Sequence, residues 1–248
     1  MPEIVYFLIA FIVLIYFAIM AFRTIRFFLF SRKVHFHTQP FNRTIKNARQ
    51  RILILGDSSM YGAGISKPKN TIGGLFVAKY PKATIETLAI NGAQVKDLNK
   101  QLKGKKHKHY DIILIGIGGN DIVRFSNFNS LRVNLISFLK KIDRISDNMI
   151  LCHSVNMGNI GFYMFPLDYI FDYRSRKLSQ IYAETKTRFP NLIYVNFYRR
   201  RGNDYYNKTT RKKFLAADGV HPNDYATTYF FNIIWNELQK YKTKNEQN

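Results

Sequence analysis

A serine near the start of the chain's second fifth and a histidine near its far end set the chemical question. Ser58 stands in Gly56-Asp57-Ser58-Ser59-Met60-Tyr61-Gly62-Ala63-Gly64, directly after the apolar run Ile52 to Leu55, and His221 stands in Asp218-Gly219-Val220-His221-Pro222-Asn223. A serine hydroxyl is a poor nucleophile until a base removes its proton and a third group fixes that base. The Asp-x-x-His spacing lets a carboxylate and an imidazole lie one turn apart, so that Asp218 holds the Nδ1 proton while Nε2 faces Ser58. Taken singly, Ser58 and Asp57 read equally well as caps of a turn or helix, and Asp218 with His221 as a surface turn completed by Pro222. Taken together they supply a nucleophile, a base and an orienting acid, which is the equipment of acyl transfer.

Such residues must be brought together by a scaffold, and the sequence after Gln50 has the pattern of one. Short β-rich runs (Arg51–Leu55, Thr84–Ala89, Asp111–Gly116, Met149–His153, Leu192–Phe197) alternate with stretches whose apolar residues recur at three and four spacing. Those stretches are Ile72–Tyr80, Val95–Leu102, Leu131–Ile145, Tyr169–Phe189 and Tyr225–Lys242; Leu131, Leu135, Phe138, Leu139 and Ile142 mark the buried stripe of the third. This alternation predicts an α/β domain with a five-stranded parallel sheet and helices on both faces. Open sheets of this kind bind ligands outside the carboxyl ends of their strands. GDSSMYGAG, NGAQ, GIGGND and DGVHPN all fall in the loops at that end or just before the last helix.

In order and placement these blocks resemble the SGNH (GDSL-like) hydrolase family over about Arg51 to Lys242. Gly56 to Gly62 looks like its GDSxxxG block, Gly92 like its oxyanion-hole glycine, Gly118-Gly119-Asn120-Asp121 like its GxND block, and Asp218 to His221 like its DxxH block. The resemblance implies a three-layer, flavodoxin-like sandwich and cleavage of an ester or thioester, without cofactor or metal. It makes Ser58, Asp218 and His221 the catalytic residues, and the backbone amides of Ser58 and Gly92 with the side-chain amide of Asn120 the oxyanion donors. Other chemistries lack their signatures. No G-x-S-x-G surrounds Ser58, neither glycine run completes G-x-G-x-x-G, and no H-E-x-x-H is present.

Ahead of this domain, Ile4 to Phe22 carries no charge, proline or glycine; as a helix it would span roughly 28 Å, the thickness of a bilayer core. Arg23, Arg26, Arg32 and Lys33 follow it and no Lys or Arg precedes it, which predicts a single-pass anchor with the C-terminal domain in the cytoplasm. The expected division is therefore an anchor and basic collar (1–33), a linker (34–50) containing Pro40, the hydrolase domain (51–242) and a frayed polar tail (243–248). Across the chain 38 Lys and Arg face 16 Asp and Glu, a formal net charge of +22, which favours an anionic lipid surface; no specific nucleic-acid reader is recognised. Cys152 is the single cysteine and sits in an apolar run, as a core residue does.

Asn156 to Leu167 is apolar but broken by glycines at the active-site edge, and Phe162, Met164 and Phe165 are its candidate substrate-binding residues. With the anchor, these residues favour an acylated small molecule or lipid. The alternatives are removal or transfer of an acetyl group on an envelope carbohydrate and, in a different class, a non-catalytic basic docking module at the membrane.

Overall fold

Alternation along the strands sends Ile52, Ile54, Ile112 and Leu114 to one side of the sheet and Leu53, Leu55, Ile113 and Ile115 to the other, and both sets are completely buried. The computed structural model describes residues 2–36, 39–202 and 210–247. Its strands are β1 (Gln50–Gly56), β2 (Ala83–Thr87), β3 (Tyr110–Ile117), β4 (Ser146–His153) and β5 (Leu192–Val195), all parallel and ordered β2-β1-β3-β4-β5. Burial on both faces explains why the strands read as continuous Ile and Leu runs.

Two helical layers cover the sheet. On one face lie α3 (Ile72–Lys79) and α9 (Asp224–Glu246), with Phe76, Phe231 and Ile234 in the core. On the other lie α4 (Leu98–Lys103), α6 (Phe128–Ile142) and α7 (Leu167–Lys186); the buried stripe of α6 is the expected Leu131, Leu135, Phe138, Leu139 and Ile142. The five-stranded α/β sandwich expected from the sequence is thus present. Three helices of four or five residues, α2 (Ser58–Tyr61), α5 (Gly119–Val123) and α8 (Arg211–Phe214), are too short to show a period and were not foreseen.

The N-terminal helix, α1 (Pro2–Phe36), continues well past Phe22. Its segment Glu3–Phe30, which contains an 18-residue window of mean hydropathy 2.9, is long and apolar enough to cross a membrane. Regular structure enters the expected linker 34–50 at both ends, α1 through Phe36 and β1 from Gln50. Residues 37 and 38 lie outside the described residues, and 41–45 are docked on the edge of β2. Arg43 N donates to Ile85 O at 2.9 Å and Ile85 N to Arg43 O at 2.8 Å, while Thr87 N donates to Asn42 Oδ1 at 2.8 Å and Thr87 Oγ1 to Phe41 O at 2.7 Å. An edge strand has unpaired amides and carbonyls, and an extended segment needs no internal period to satisfy them. At the other terminus α9 is helical through Glu246 and so takes in residues 243–246 of the expected tail; Asn248 lies outside the described residues.

Candidate active site

β1 delivers the nucleophile candidate to the carboxyl edge of the sheet. Gly56, with φ +139°, lies so close to Gly116 on β3 that a Cβ would meet Gly116 O at 2.0 Å, so only glycine lets the two strands end side by side here. α2 then starts at Ser58. Asp57 caps it, accepting from Ser59 N at 3.0 Å and Ser59 Oγ at 2.7 Å, which is the turn-stabilising part its sequence position suggests. Burial raises the pKa of the Asp57 carboxyl, and the Ser59 hydrogen bonds only partly offset this.

The imidazole arrives from the opposite end of the chain. Ser58 Oγ lies 2.9 Å from His221 Nε2, and His221 Nδ1 lies 2.5 Å from Asp218 Oδ2. Asp218 also builds the loop that carries its partner, because its Oδ1 accepts from both Val220 N and His221 N at 3.0 Å. Burial pushes the Asp218 carboxyl up, but the hydrogen bonds and charge of His221 together with these amides outweigh it and hold the carboxyl below its usual range. A hydroxyl, a ring nitrogen and a fixed carboxylate in this order form a relay able to deprotonate Ser58 as it attacks.

Gly92 and Asn120, the other oxyanion candidates, line the same cavity of about 1040 Å³ as Ser58 and His221. Gly92, at φ +76°, reverses the chain after β2, and Asn120 opens α5 after β3. One amide proton of Asn120 is engaged with Ala93 O at 3.1 Å, which ties the two loops together; an amide carries a second. Asp121 reinforces the tie, accepting from Val95 N at 3.0 Å and Ser126 Oγ at 2.8 Å.

Phe162, Met164 and Phe165 are not among the residues lining the cavity; from their segment Met157 and Tyr163 are. Asn156 Oδ1 accepts from Gly158 N at 3.0 Å and Ser175 Oγ from Met157 N at 3.1 Å, fixing Met157 over the site. Gly161, at φ +76° with the Arg211 guanidinium against it, turns the chain so that Phe162 meets Phe27 of α1, while Phe165 is 72% exposed beside Tyr169. Cys152, also on the wall, is buried, and burial pushes its thiol up, so it is no competing nucleophile.

Several supports escaped the sequence reading. Gln101 grips Gly56, and Arg174 on α7 donates to Ile122 O at 2.9 Å and Ser126 O at 2.7 Å, closing the end of α5. Gly64 underlies the histidine loop: a Cβ there would meet Pro222 O at 2.4 Å and the Cβ of His221 at 3.1 Å. The signals were faint. Gln101 is an amide on an otherwise apolar helix face, and Gly64 is the last glycine of a glycine-rich turn.

Solved structures share this fold. Axe2, an acetylxylan esterase from Geobacillus stearothermophilus, is 21% identical, with 77% of this chain and 94% of that chain covered at a TM-score of 0.54. An extracellular lipase from Streptomyces rimosus is 14% identical, with coverages of 76% and 99% and a TM-score of 0.56. The esterase EstA from Pseudoalteromonas sp. is 19% identical, with coverages of 78% and 99% and a TM-score of 0.52. At these identities the likeness is one of fold. No curated protein matches the sequence. The profile of the GDSL-like Lipase/Acylhydrolase family matches residues 54–226, well over half of the chain and inclusive of every block named above. By that match the chain belongs to the GDSL-like lipase/acylhydrolase family of ester-cleaving serine hydrolases.

Proposed function

We propose that this protein hydrolyses a carboxylic ester or thioester of an acylated amphiphile at a membrane surface, through an acyl-enzyme on Ser58. The observation that carries the reading is the continuous hydrogen-bonded line from Ser58 Oγ through His221 to Asp218, at 2.9 and 2.5 Å. Ser58 Oγ attacks the carbonyl carbon as its proton passes to His221 Nε2, and Asp218 stabilises the imidazolium that forms. The amides of Ser58 and Gly92 and the side chain of Asn120 receive the negative oxygen. Collapse expels the alcohol or thiol with the proton from His221. A water molecule, deprotonated in turn by His221, then releases the acid and restores Ser58.

Several features support an amphiphilic substrate. The cavity is at the upper end of the size range for small-molecule sites and is lined by Met157, Tyr163, Phe230 and Ile234 among others, ample for more than an acetyl group. The bilayer-length segment of α1 carries its positive flank only on the C-terminal side, which favours a cytoplasmic domain, and the chain's net charge of +22 favours an anionic lipid surface.

The test is a fluorophosphonate probe on the full chain together with Ser58→Ala. Labelling at Ser58 and loss of ester turnover in the variant are expected; turnover that survives the substitution removes Ser58 from the mechanism. Orientation is read by reporter fusions after Asn248. Strong alkaline phosphatase activity with a dark fluorescent fusion would place the domain outside and favour envelope-carbohydrate deacetylation instead.

A further inference from the structure

We infer that α1 is part of the substrate site as well as a membrane segment: Phe27 and Phe28 form the wall along which a long acyl chain lies, and they set the chain-length preference. The inference rests on Ser58 as acyl acceptor and adds what the domain alone does not supply. Along α1, Met20, Arg23, Thr24, Phe27 and Phe30 are half-buried while their neighbours are exposed, the three and four spacing of a helix face resting on a surface. Arg23 fastens that face, its Nη1 donating to Phe162 O at 3.0 Å and Gly161 O at 3.4 Å. One turn on, the Phe27 ring packs edge-on against Phe162 at 5.5 Å and lies nearly parallel to the His221 ring, 6.3 Å away at 22°.

Both Phe27 and Phe28 line the cavity that holds Ser58 and His221. A carbonyl carbon seated at Ser58 therefore has Phe27 beside it, and an alkyl chain leaving that carbon finds apolar surface along α1. Arg23 and Arg26 interrupt the apolar sequence before Phe27, but Arg23 is turned onto the carbonyls of Gly161 and Phe162, and the exposed Phe28, Ile25 and Phe22 carry apolar surface along α1 to the uncharged stretch Ile4 to Phe22. The substrate so selected is a long-chain acyl ester taken from the bilayer, with its carbonyl oxygen toward Gly92 and Asn120. Phe28, 62% exposed, has apolar area there that a bound chain would cover.

Two measurements on the full chain in lipid nanodiscs decide this. In the first, kcat/KM is compared for dodecanoyl and acetyl p-nitrophenyl esters in the wild type and in Phe27→Ala/Phe28→Ala. The long-to-short ratio is expected to fall at least about tenfold, the loss of roughly two methylene contacts. A ratio unchanged within about twofold, whatever the absolute rates, overturns the inference. The second needs no variant: a dodecyl fluorophosphonate with a diazirine midway along its chain is attached and then irradiated. Attachment to Ser58 with crosslinks between Arg23 and Phe30 is expected. Attachment to Ser58 with crosslinks only within the domain sinks this inference and leaves the catalytic assignment standing, whereas failure to attach to Ser58 removes that assignment and the inference with it.

Discussion

Gln101 holds both backbone groups of Gly56, its Oε1 accepting from Gly56 N at 2.9 Å and its Nε2 donating to Gly56 O at 2.8 Å. The contact is buried and lies two residues from Ser58, so a side chain on α4 fixes where β1 stops and α2 starts. Gln101→Leu strands the Gly56 amide and is expected to lower stability by about 1–3 kcal/mol. It should also lower kcat, because the nucleophile loses its fixed start. Thermal unfolding in micelles followed by tryptophan fluorescence checks the first effect; an unchanged midpoint would show that water replaces the side chain without cost.

Asn120→Ala should reduce kcat by about 10²–10³ and leave KM nearly constant, since a donor aimed at the oxyanion acts in the transition state. The lost bond to Ala93 O predicts a smaller second effect, a looser loop after β2. Steady-state kinetics separate the roles. A rise in KM at constant kcat would make Asn120 a substrate-binding residue instead.

Gly64→Ala places a methyl where Pro222 O lies 2.4 Å away, at a backbone φ of +90° that side chains rarely adopt. The histidine loop must then move outward and draw Nε2 from Ser58. Activity should fall by about 100-fold, the scale of an ångström-sized misplacement, with fluorophosphonate labelling slowed in step. Labelling at the wild-type rate would mean that the loop is not held by this contact.

Burial lowers the pKa of the His153 imidazole from 6.5 to about 4 and keeps it neutral; its Nδ1 donates to Ser154 O while its Nε2 has no hydrogen-bond partner among the described residues. Below pH 6.5 the unfolded chain binds a proton here that the fold refuses, so stability present above that pH is lost as it falls toward about 4. The full loss is on the order of 3 kcal/mol. His153→Phe should flatten this part of the stability profile, and denaturation midpoints at several pH values in that window check it. An equally steep profile in the variant would assign the slope to other groups.

The strands, and which helices pack, were legible because both depend on repeating patterns: Ile52 to Leu55 and Ile112 to Ile115 are apolar at every position, and Leu131 to Ile142 keeps helical spacing. The hydrogen-bonded arrangement of Ser58, His221 and Asp218 was legible through local blocks. What escaped depends on single contacts between segments far apart in sequence. Gly64 beneath Pro222, Gln101 on Gly56 and Arg43 on Ile85 leave no period, and the turn at Gly161 decides that Tyr163 rather than Phe162 faces the cavity. Continuation of α1 to Phe36 was missed because its last turns are polar, though they carry no helix breaker.

The segment 41–45 on β2 has a consequence for crowding. Proteins held in one membrane share a common orientation, so any open strand edge on one copy meets the same edge on its neighbours repeatedly and at a fixed height. With Arg43 and Asn42 occupying the groups that β2 would present, that edge offers no template for a second chain, and the opposite edge, β5, is only four residues long. With α1 in a bilayer, as proposed above, dense packing in two dimensions is thereby made compatible with separate, individually folded catalysts, and a cut or deletion within residues 41–45 is then expected to show first as clustering in the plane of the membrane.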